Sequence, residues 1–132
     1  MNPVVLDTDI ASAVLKERLP DRLAPVLAGR PLAITFVTVG ELTQWTFIRR
    51  WGPQRRAGLE RFFGRVVVLP YSPRVATIWG EIQAHAHLRG RPRPVNDSWV
   101  AACCLARELP LATLNIKDYS DFAEHEGLEL VR

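Results

Sequence analysis

Several acidic and amide side chains occupy positions that a parallel sheet would bring to one edge. Three of these sites directly follow apolar runs typical of strands, and another begins a helix whose apolar face would pack on the sheet. They are Asp7 with Asp9, Glu41, Asp97, and Asn115 with Asp118. Carboxylates within a few ångströms repel one another, so such a group calls for shared protons or a bound divalent metal. Oxygen ligands without histidine or thiolate favour Mg²⁺ or Mn²⁺ over zinc.

Each site also has a purely structural interpretation. Aspartate is a good helix N-cap, Thr38 and Glu41 have the spacing of a capping box, and Asn115 fits an Asx turn. Against the capping interpretation, Glu41 shares one predicted helix face with Trp45 and Ile48, which would place its carboxylate on a buried stripe. A functional site is favoured because independent capping and turn roles would otherwise have to place all of these acids at the same edge of the sheet.

An alternating pattern of strands and helices is predicted to position these residues. Apolar runs predict strands at residues 4–6, 32–36, 66–69, 111–114 and 128–131, and helical patterns cover 10–17, 21–28, 38–50, 53–63, 73–89 and 97–108. The resulting order is β-α-α-β-α-α-β-α-α-β-α-β, whose last helix has no predicted bounds. Strands separated by helices indicate an α/β fold in which helices flank a mainly parallel central sheet of about five strands.

Composition limits the classes of protein that fit. The 132 residues, 48% of them hydrophobic, suffice for a single domain spanning 1–132 with a buried core. No apolar run approaches the roughly 20 residues of a membrane span, and the first residues lack the basic segment of a signal sequence, so we expect a cytoplasmic protein. The adjacent Cys103 and Cys104 fall inside a predicted helix and are expected to be buried apolar residues.

Four segments, taken in order and spacing, resemble the PIN-domain family and, within it, the VapC-type toxins of toxin–antitoxin pairs. They are Leu-Asp-Thr-Asp-Ile at 6–10, Thr-Val-Gly-Glu-Leu at 38–42, Asp-Ser-Trp-Val-Ala-Ala at 97–102, and Leu-Pro-Leu-Ala-Thr-Leu-Asn-Ile-Lys-Asp-Tyr at 109–119. The match runs from Val5 to about Leu130. The resemblance implies a PIN-like fold, a Mg²⁺- or Mn²⁺-dependent endoribonuclease that uses metal-activated water, a homodimer, and a cognate VapB-like antitoxin.

The resemblance also implies roles for individual residues. By position, Asp7, Glu41 and Asp97 match the three most regular acids of the family, which act in metal binding and catalysis. Either Asn115 or Asp118 would complete the catalytic site.

Three further residues near this implied site carry separate expectations. Asp9 departs from the family pattern, where Asn is common, and its carboxylate could join the site or cap the helix. Thr8 and Thr113 are expected to donate hydrogen bonds to the carboxylates.

The basic residues offer a candidate surface for RNA phosphates. Fifteen of the seventeen are arginine, whose planar, many-donor head suits phosphate recognition. The candidates for RNA contact are Arg49, Arg50, Arg55, Arg56 and Lys117, and a second arginine group follows at 89–93. The same cluster could instead be a solvated helical hairpin or a surface that receives an acidic antitoxin segment.

Two other functions fit parts of the sequence. Residues 4–9 resemble the strand-end Asp-x-Asp of haloacid-dehalogenase-like phosphatases, in which Asp7 would be the nucleophile. The chain is short for that fold and lacks its later acidic motif. A catalytically inert PIN-like module that binds RNA or protein is also compatible with the pattern, although loss of one of the three main acids would be its hallmark and all three are present.

Overall fold

Five short strands form one sheet in a computed structural model that describes residues 2–131. The strands are β1 (Val4–Leu6), β2 (Leu32–Thr35), β3 (Val67–Leu69), β4 (Leu111–Ala112) and β5 (Leu130–Val131). They pair in the order β3-β2-β1-β4-β5, and every pairing is parallel. The predicted α/β fold with a five-stranded sheet is therefore confirmed.

Seven helices connect the strands and cover both faces of the sheet. They are α1 (Thr8–Leu15), α2 (Ala24–Leu27), α3 (Phe36–Ile48), α4 (Pro53–Arg65), α5 (Pro73–Leu88), α6 (Val95–Arg107) and α7 (Ile116–Glu126). The element order is the predicted one, and α7 is the helix whose bounds were not predicted. In residues 2–131, none of the helices combines the length and apolarity that a membrane crossing requires.

The strand order brings together the carboxyl ends of three strands that are neighbours in the sheet, β2, β1 and β4. β1 lies at the centre, with Val5 paired to Ala33 of β2 and Leu6 paired to Ala112 of β4. The backbone N–H of Asp7 donates to the carbonyl of Ala112 at 2.9 Å, which extends the ladder one residue beyond β1. Because the strands are parallel, the residues that follow β1, β2 and β4 meet at one edge.

Two apolar layers hold the sheet in place. On one face Val5 and Leu111 pack against α5, α6 and α7, and on the other Leu6 and Ile34 pack against α1, α3 and α4. Cys103 and Cys104 are fully buried and unpaired in the first layer. Burial raises the pKa of the Cys104 thiol well above its usual range, so it is a protonated apolar group, as expected.

Arg56 connects the start of α4 to the end of α3. Its Nε donates to the carbonyl of Trp51 at 2.9 Å, and its terminal nitrogens donate to the hydroxyl and carbonyl of Thr46 at 3.2 and 3.0 Å. A guanidinium that satisfies carbonyls at a helix C-terminus also interacts favourably with the helix dipole. Arg56 therefore has a structural role that the sequence did not indicate.

We expect Arg56→Gln to lower the free energy of unfolding by about 1–3 kcal/mol, because hydrogen bonds from a charged donor are lost and the carbonyls lose their partner. Arg61→Gln, an exposed position on the same helix without such bonds, should change it by less than about 0.5 kcal/mol. Urea unfolding followed by circular dichroism measures both. Equal stabilities of the two variants would contradict the role assigned to Arg56.

Candidate active site

Asp7 is the buried carboxylate at the centre of the candidate site. It directly follows β1 and precedes α1, yet its side chain makes no capping hydrogen bond to that helix. Its Oδ2 accepts from the Thr113 hydroxyl at 2.9 Å, and its Oδ1 accepts from the Tyr119 hydroxyl at 3.0 Å. Burial raises the pKa of Asp7, and the two hydroxyl donors oppose that shift. Its carboxylate is held in the site, and it does not cap α1.

Asp97 approaches the same point from α6. That helix begins at Val95, two residues before the predicted start, so Asp97 lies in its first turn. Its Oδ1 lies 3.3 Å from the Tyr119 hydroxyl, whose single hydrogen Asp97 shares with Asp7. Burial raises the pKa of Asp97 to about 6, and the negative charges of Asp7, Asp118 and Glu41 act in the same direction. The charges of carboxyl groups from four separate elements therefore act on one another at this edge of the sheet, and we call Asp7, Glu41, Asp97 and Asp118 the acidic cluster.

Tyr119 joins the two aspartates and was not among the predicted site residues. It is fully buried on α7, and its hydroxyl contacts carboxylate oxygens of both Asp7 and Asp97. Burial and these two negative charges raise the pKa of Tyr119 far above its usual value, so the hydroxyl remains a proton donor. Tyr119 and Phe122 are three residues apart, as expected of a core face on a helix. This spacing predicts a core residue and does not indicate that the hydroxyl contacts the acids.

Glu41 is held near the cluster by two threonines. The Thr8 hydroxyl lies 2.7 Å from Glu41 Oε1 and 2.9 Å from the Thr38 hydroxyl. The capping-box interpretation of Thr38 and Glu41 is wrong, because α3 begins at Phe36 and its N-cap is Thr35, which accepts from the Thr38 N–H at 3.4 Å.

The predicted buried stripe through Glu41, Trp45 and Ile48 is wrong at Ile48, although Trp45 packs against the core. Ile48 is 67% exposed, and the buried positions of α3 are Thr38, Leu42 and Thr46. Glu41 is half-buried beside that face and reaches the site through its contact with Thr8.

Hydrogen bonds between Asp9 and residues 114–115 connect α1 to the turn after β4. Asp9 Oδ2 accepts from the Asn115 side-chain amide at 2.8 Å and from the Leu114 N–H at 3.2 Å. Burial and the charge of Asp7 raise the pKa of Asp9 to about 6. Asn115 is thereby engaged with Asp9, whereas the charge of Asp118 acts on both Asp7 and Asp97. These surroundings favour Asp118 over Asn115 as the residue that completes the site.

The basic residues predicted to contact RNA fall into different surroundings. Arg49 lies over the ring of Trp45, Arg55 lies over Trp51, and Lys117 is exposed on α7 beside Asp118. Arg50 is exposed after α3, while Arg56 is committed to the contacts described above.

In the second arginine group, two members have partners on α7. Arg89 pairs with Asp121 and Glu126, and Arg93 donates to the backbone carbonyl of Asp118 at 3.2 Å. This second group therefore helps to hold α7, which carries Asp118 and Tyr119 into the site.

The donor set of the cluster suits a hard divalent cation. Asp7, Glu41, Asp97 and Asp118 supply only oxygen ligands. After burial, the negative charges of the other three acids raise the pKa of Asp97. Within residues 2–131, no three acidic, histidine or cysteine side chains already stand at the spacing of a metal-bound group. An open pocket of about 530 Å³ lies alongside, lined by Glu41, Gln44, Asn96 and Trp99 among others.

The sequence and the fold both match known proteins. The family model described as "PIN domain" matches residues 4–125. Ribonuclease VapC5 of Mycobacterium tuberculosis is 32% identical, with 97% of this chain and 93% of that protein covered. Ribonuclease VapC1 of Haemophilus influenzae is 28% identical over 87% of this chain and 88% of its own length.

A solved structure agrees with these relatives. VapBC-5 from Mycobacterium tuberculosis, described as a member of the VapBC family of toxin–antitoxin systems, has a TM-score of 0.72. Its identity to this chain is 27%, over all of this chain and 99% of that chain. The chain therefore belongs to the PIN-domain family and, within it, to the VapC group.

The raised pKa of Asp97 predicts how the stability of the metal-free protein depends on pH. Between the ordinary pKa of 3.8 and the folded value of about 6, the folded state holds more protons than the unfolded state, so stability falls as pH rises through this range. In EDTA, we expect the stability of Asp97→Asn to fall less over this pH range than that of the unaltered protein. Urea unfolding at several pH values measures this, with the exposed Asp21→Asn as control. An unchanged pH dependence in Asp97→Asn would contradict a half-buried Asp97 carboxyl that neighbouring acids repel.

Proposed function

We propose that this protein is a metal-dependent endoribonuclease, the toxin of a VapBC-type toxin–antitoxin pair, which cleaves RNA phosphodiester bonds by hydrolysis. The observation that carries the proposal is the cluster formed by Asp7, Asp97, Glu41 and Asp118 at one sheet edge. The relatives named as ribonucleases support the same activity.

The cofactor proposed for this site is Mg²⁺ or Mn²⁺. Asp7, Asp97 and Glu41 would hold it, and Asp118 would complete the site. When bound, such an ion supplies Lewis acidity, which activates water and neutralises charge that develops on the phosphate.

The residues of the chain orient the carboxylates for this task. Thr113 and Tyr119 each donate to a different oxygen of Asp7, and Thr8 donates to Glu41. A carboxylate oxygen that accepts one hydroxyl proton keeps a further lone-pair direction for a ligand. The hydroxyls therefore fix the acids in place without neutralising them.

Water is proposed as the nucleophile because the site has no suitable histidine. Within the described part of the chain, His85 contacts Glu126, His125 lies near Asp121 and Glu124, and neither these two nor His87 forms a hydrogen bond or ion pair with one of the four acids. Deprotonation of the RNA 2′-hydroxyl thus has no histidine base. Attack by water forms one P–O bond as the P–O3′ bond breaks, which leaves a 5′-phosphate on one fragment and a 3′-hydroxyl on the other.

The proposed partners follow from the VapBC relatives. A VapB-like antitoxin would bind and inhibit the protein, as the toxin–antitoxin description of the VapBC-5 structure suggests. We further propose a homodimer that acts on RNA in the cytoplasm. Size-exclusion chromatography with light scattering tests the dimer separately from the activity.

Product analysis tests the proposed chemistry most directly. We expect mass spectrometry of cleaved RNA to show 5′-phosphate and 3′-hydroxyl ends, and we expect EDTA to abolish cleavage until Mg²⁺ or Mn²⁺ is restored. Asp7→Asn and Asp97→Asn should each lower the cleavage rate at least about 100-fold while the protein stays folded, because ligand charge is lost. Ends carrying a 2′,3′-cyclic phosphate, or cleavage that persists in EDTA, would refute this mechanism.

A further inference from the structure

A basic pocket lies at the opposite end of α1 from the acids. It measures about 360 Å³ and is lined by Leu15, Lys16, Arg18, Trp51, Arg55 and Gly58. These residues come from the end of α1 and the segment after it, and from the start of α4 and the residue Trp51 that precedes it. From Asp9 to Lys16 the helix rises roughly 10 Å, at about 1.5 Å per residue. The pocket is therefore separate from the acidic cluster and within a few nucleotides of it.

The positive charges of this pocket are not compensated by nearby acids. Lys16, Arg18 and Arg55 form no ion pair with an acidic side chain of residues 2–131, and neither does the neighbouring Arg49. After burial, the charges of Arg49, Arg55 and Arg18 are the causes that lower the pKa of Lys16. Cations that repel one another in this way attract an anion strongly.

The start of α4 adds to the same positive potential. Its N-cap is Gly52, which offers no side chain to the free N–H groups, and its first turn contains no acidic residue. Trp51 and Arg55 of this segment line the pocket. An uncapped helix N-terminus has a partial positive charge and N–H donors that suit a phosphate.

Aromatic rings order two of the arginines. The guanidinium of Arg55 lies 4.6 Å from the ring centre of Trp51, and that of Arg49 lies 4.3 Å from the ring centre of Trp45. Stacking occupies the flat faces of a guanidinium and leaves its N–H edges available for bidentate bonds to a phosphate. Because the cations are distributed over α1, α4 and the end of α3, they suit a chain of phosphates better than a single anion.

We propose that this pocket binds backbone phosphates of the RNA strand next to the bond that is cut. The proposal rests on the ribonuclease function proposed above. The acidic cluster itself repels RNA, so much of the affinity for the strand must come from cations placed elsewhere on the protein. The pocket offers such cations close to the acids without neutralising them.

The test compares two double variants in the Asp97→Asn background, in which RNA should remain intact. One variant carries Lys16→Gln and Arg55→Gln, and its control carries Arg74→Gln and Arg107→Gln, two exposed arginines that do not line the pocket. Fluorescence anisotropy with a labelled single-stranded RNA gives the dissociation constant at several salt concentrations. We expect the pocket variant to bind more weakly and to reduce the slope of log K against log salt by about 1.4, roughly 0.7 for each lost phosphate contact.

Two results would overturn the proposal. Equal RNA affinity and salt dependence in the pocket and control variants would show that RNA does not use these cations. A pocket variant that retains RNA affinity but loses binding of a polyglutamate peptide would assign the pocket to an acidic protein segment. RNA cleavage is measured separately with protein in which Asp97 is intact. If this protein does not cleave RNA, the proposed function is contradicted. If it cleaves RNA but the pocket and control variants bind RNA equally well, only the pocket proposal is contradicted.

Discussion

The negative charge of Asp7, Glu41, Asp97 and Asp118 is concentrated at the carboxyl edge of a sheet whose strands are two to four residues long. Bringing these groups together costs free energy through both desolvation and mutual repulsion. Hydroxyl donors to Asp7, Glu41 and Asp97 offset part of that cost. The raised pKa values of Asp7 and Asp97 show that the compensation is incomplete. A divalent cation is the compensation that we propose.

Several positive side chains are engaged with partners other than the four acids. Arg89 is paired with Asp121 and Glu126, and Arg56 is bound to carbonyls at the end of α3. The cations without acidic partners among residues 2–131 include Lys16, Arg18 and Arg55, at the other end of α1. The four acids therefore remain available for a metal, and the basic pocket proposed to bind RNA lies at the other end of α1.

The sequence predicted the convergence of the acids because it depends only on strand order and on parallel pairing. Asp7 and Asn115 follow neighbouring strands, and the apolar runs that define those strands are unambiguous. The local details depended on contacts between distant residues. Tyr119 has the spacing of a core residue, and only the fold shows that its hydroxyl contacts Asp7 and Asp97.

Two local features of α3 were also predicted wrongly from the sequence. The N-cap of α3 is Thr35 and not Thr38, because β2 leads directly into the helix without a turn. Ile48 is apolar yet 67% exposed at the last turn of α3, where helical spacing alone predicts burial. At the start of α3 the direct passage from strand to helix, and not the residue type, determines the N-cap.

The proposed metal site requires that an ion bind between Asp7 and Asp97. Crystals soaked in Mn²⁺ and measured for anomalous scattering test this directly, because manganese is located without reference to activity. We expect an anomalous peak within bonding distance of carboxylate oxygens from both aspartates, and no such peak in Asp97→Asn. A peak elsewhere, or none at saturating Mn²⁺ in crystals of the unaltered protein, would contradict the proposed site.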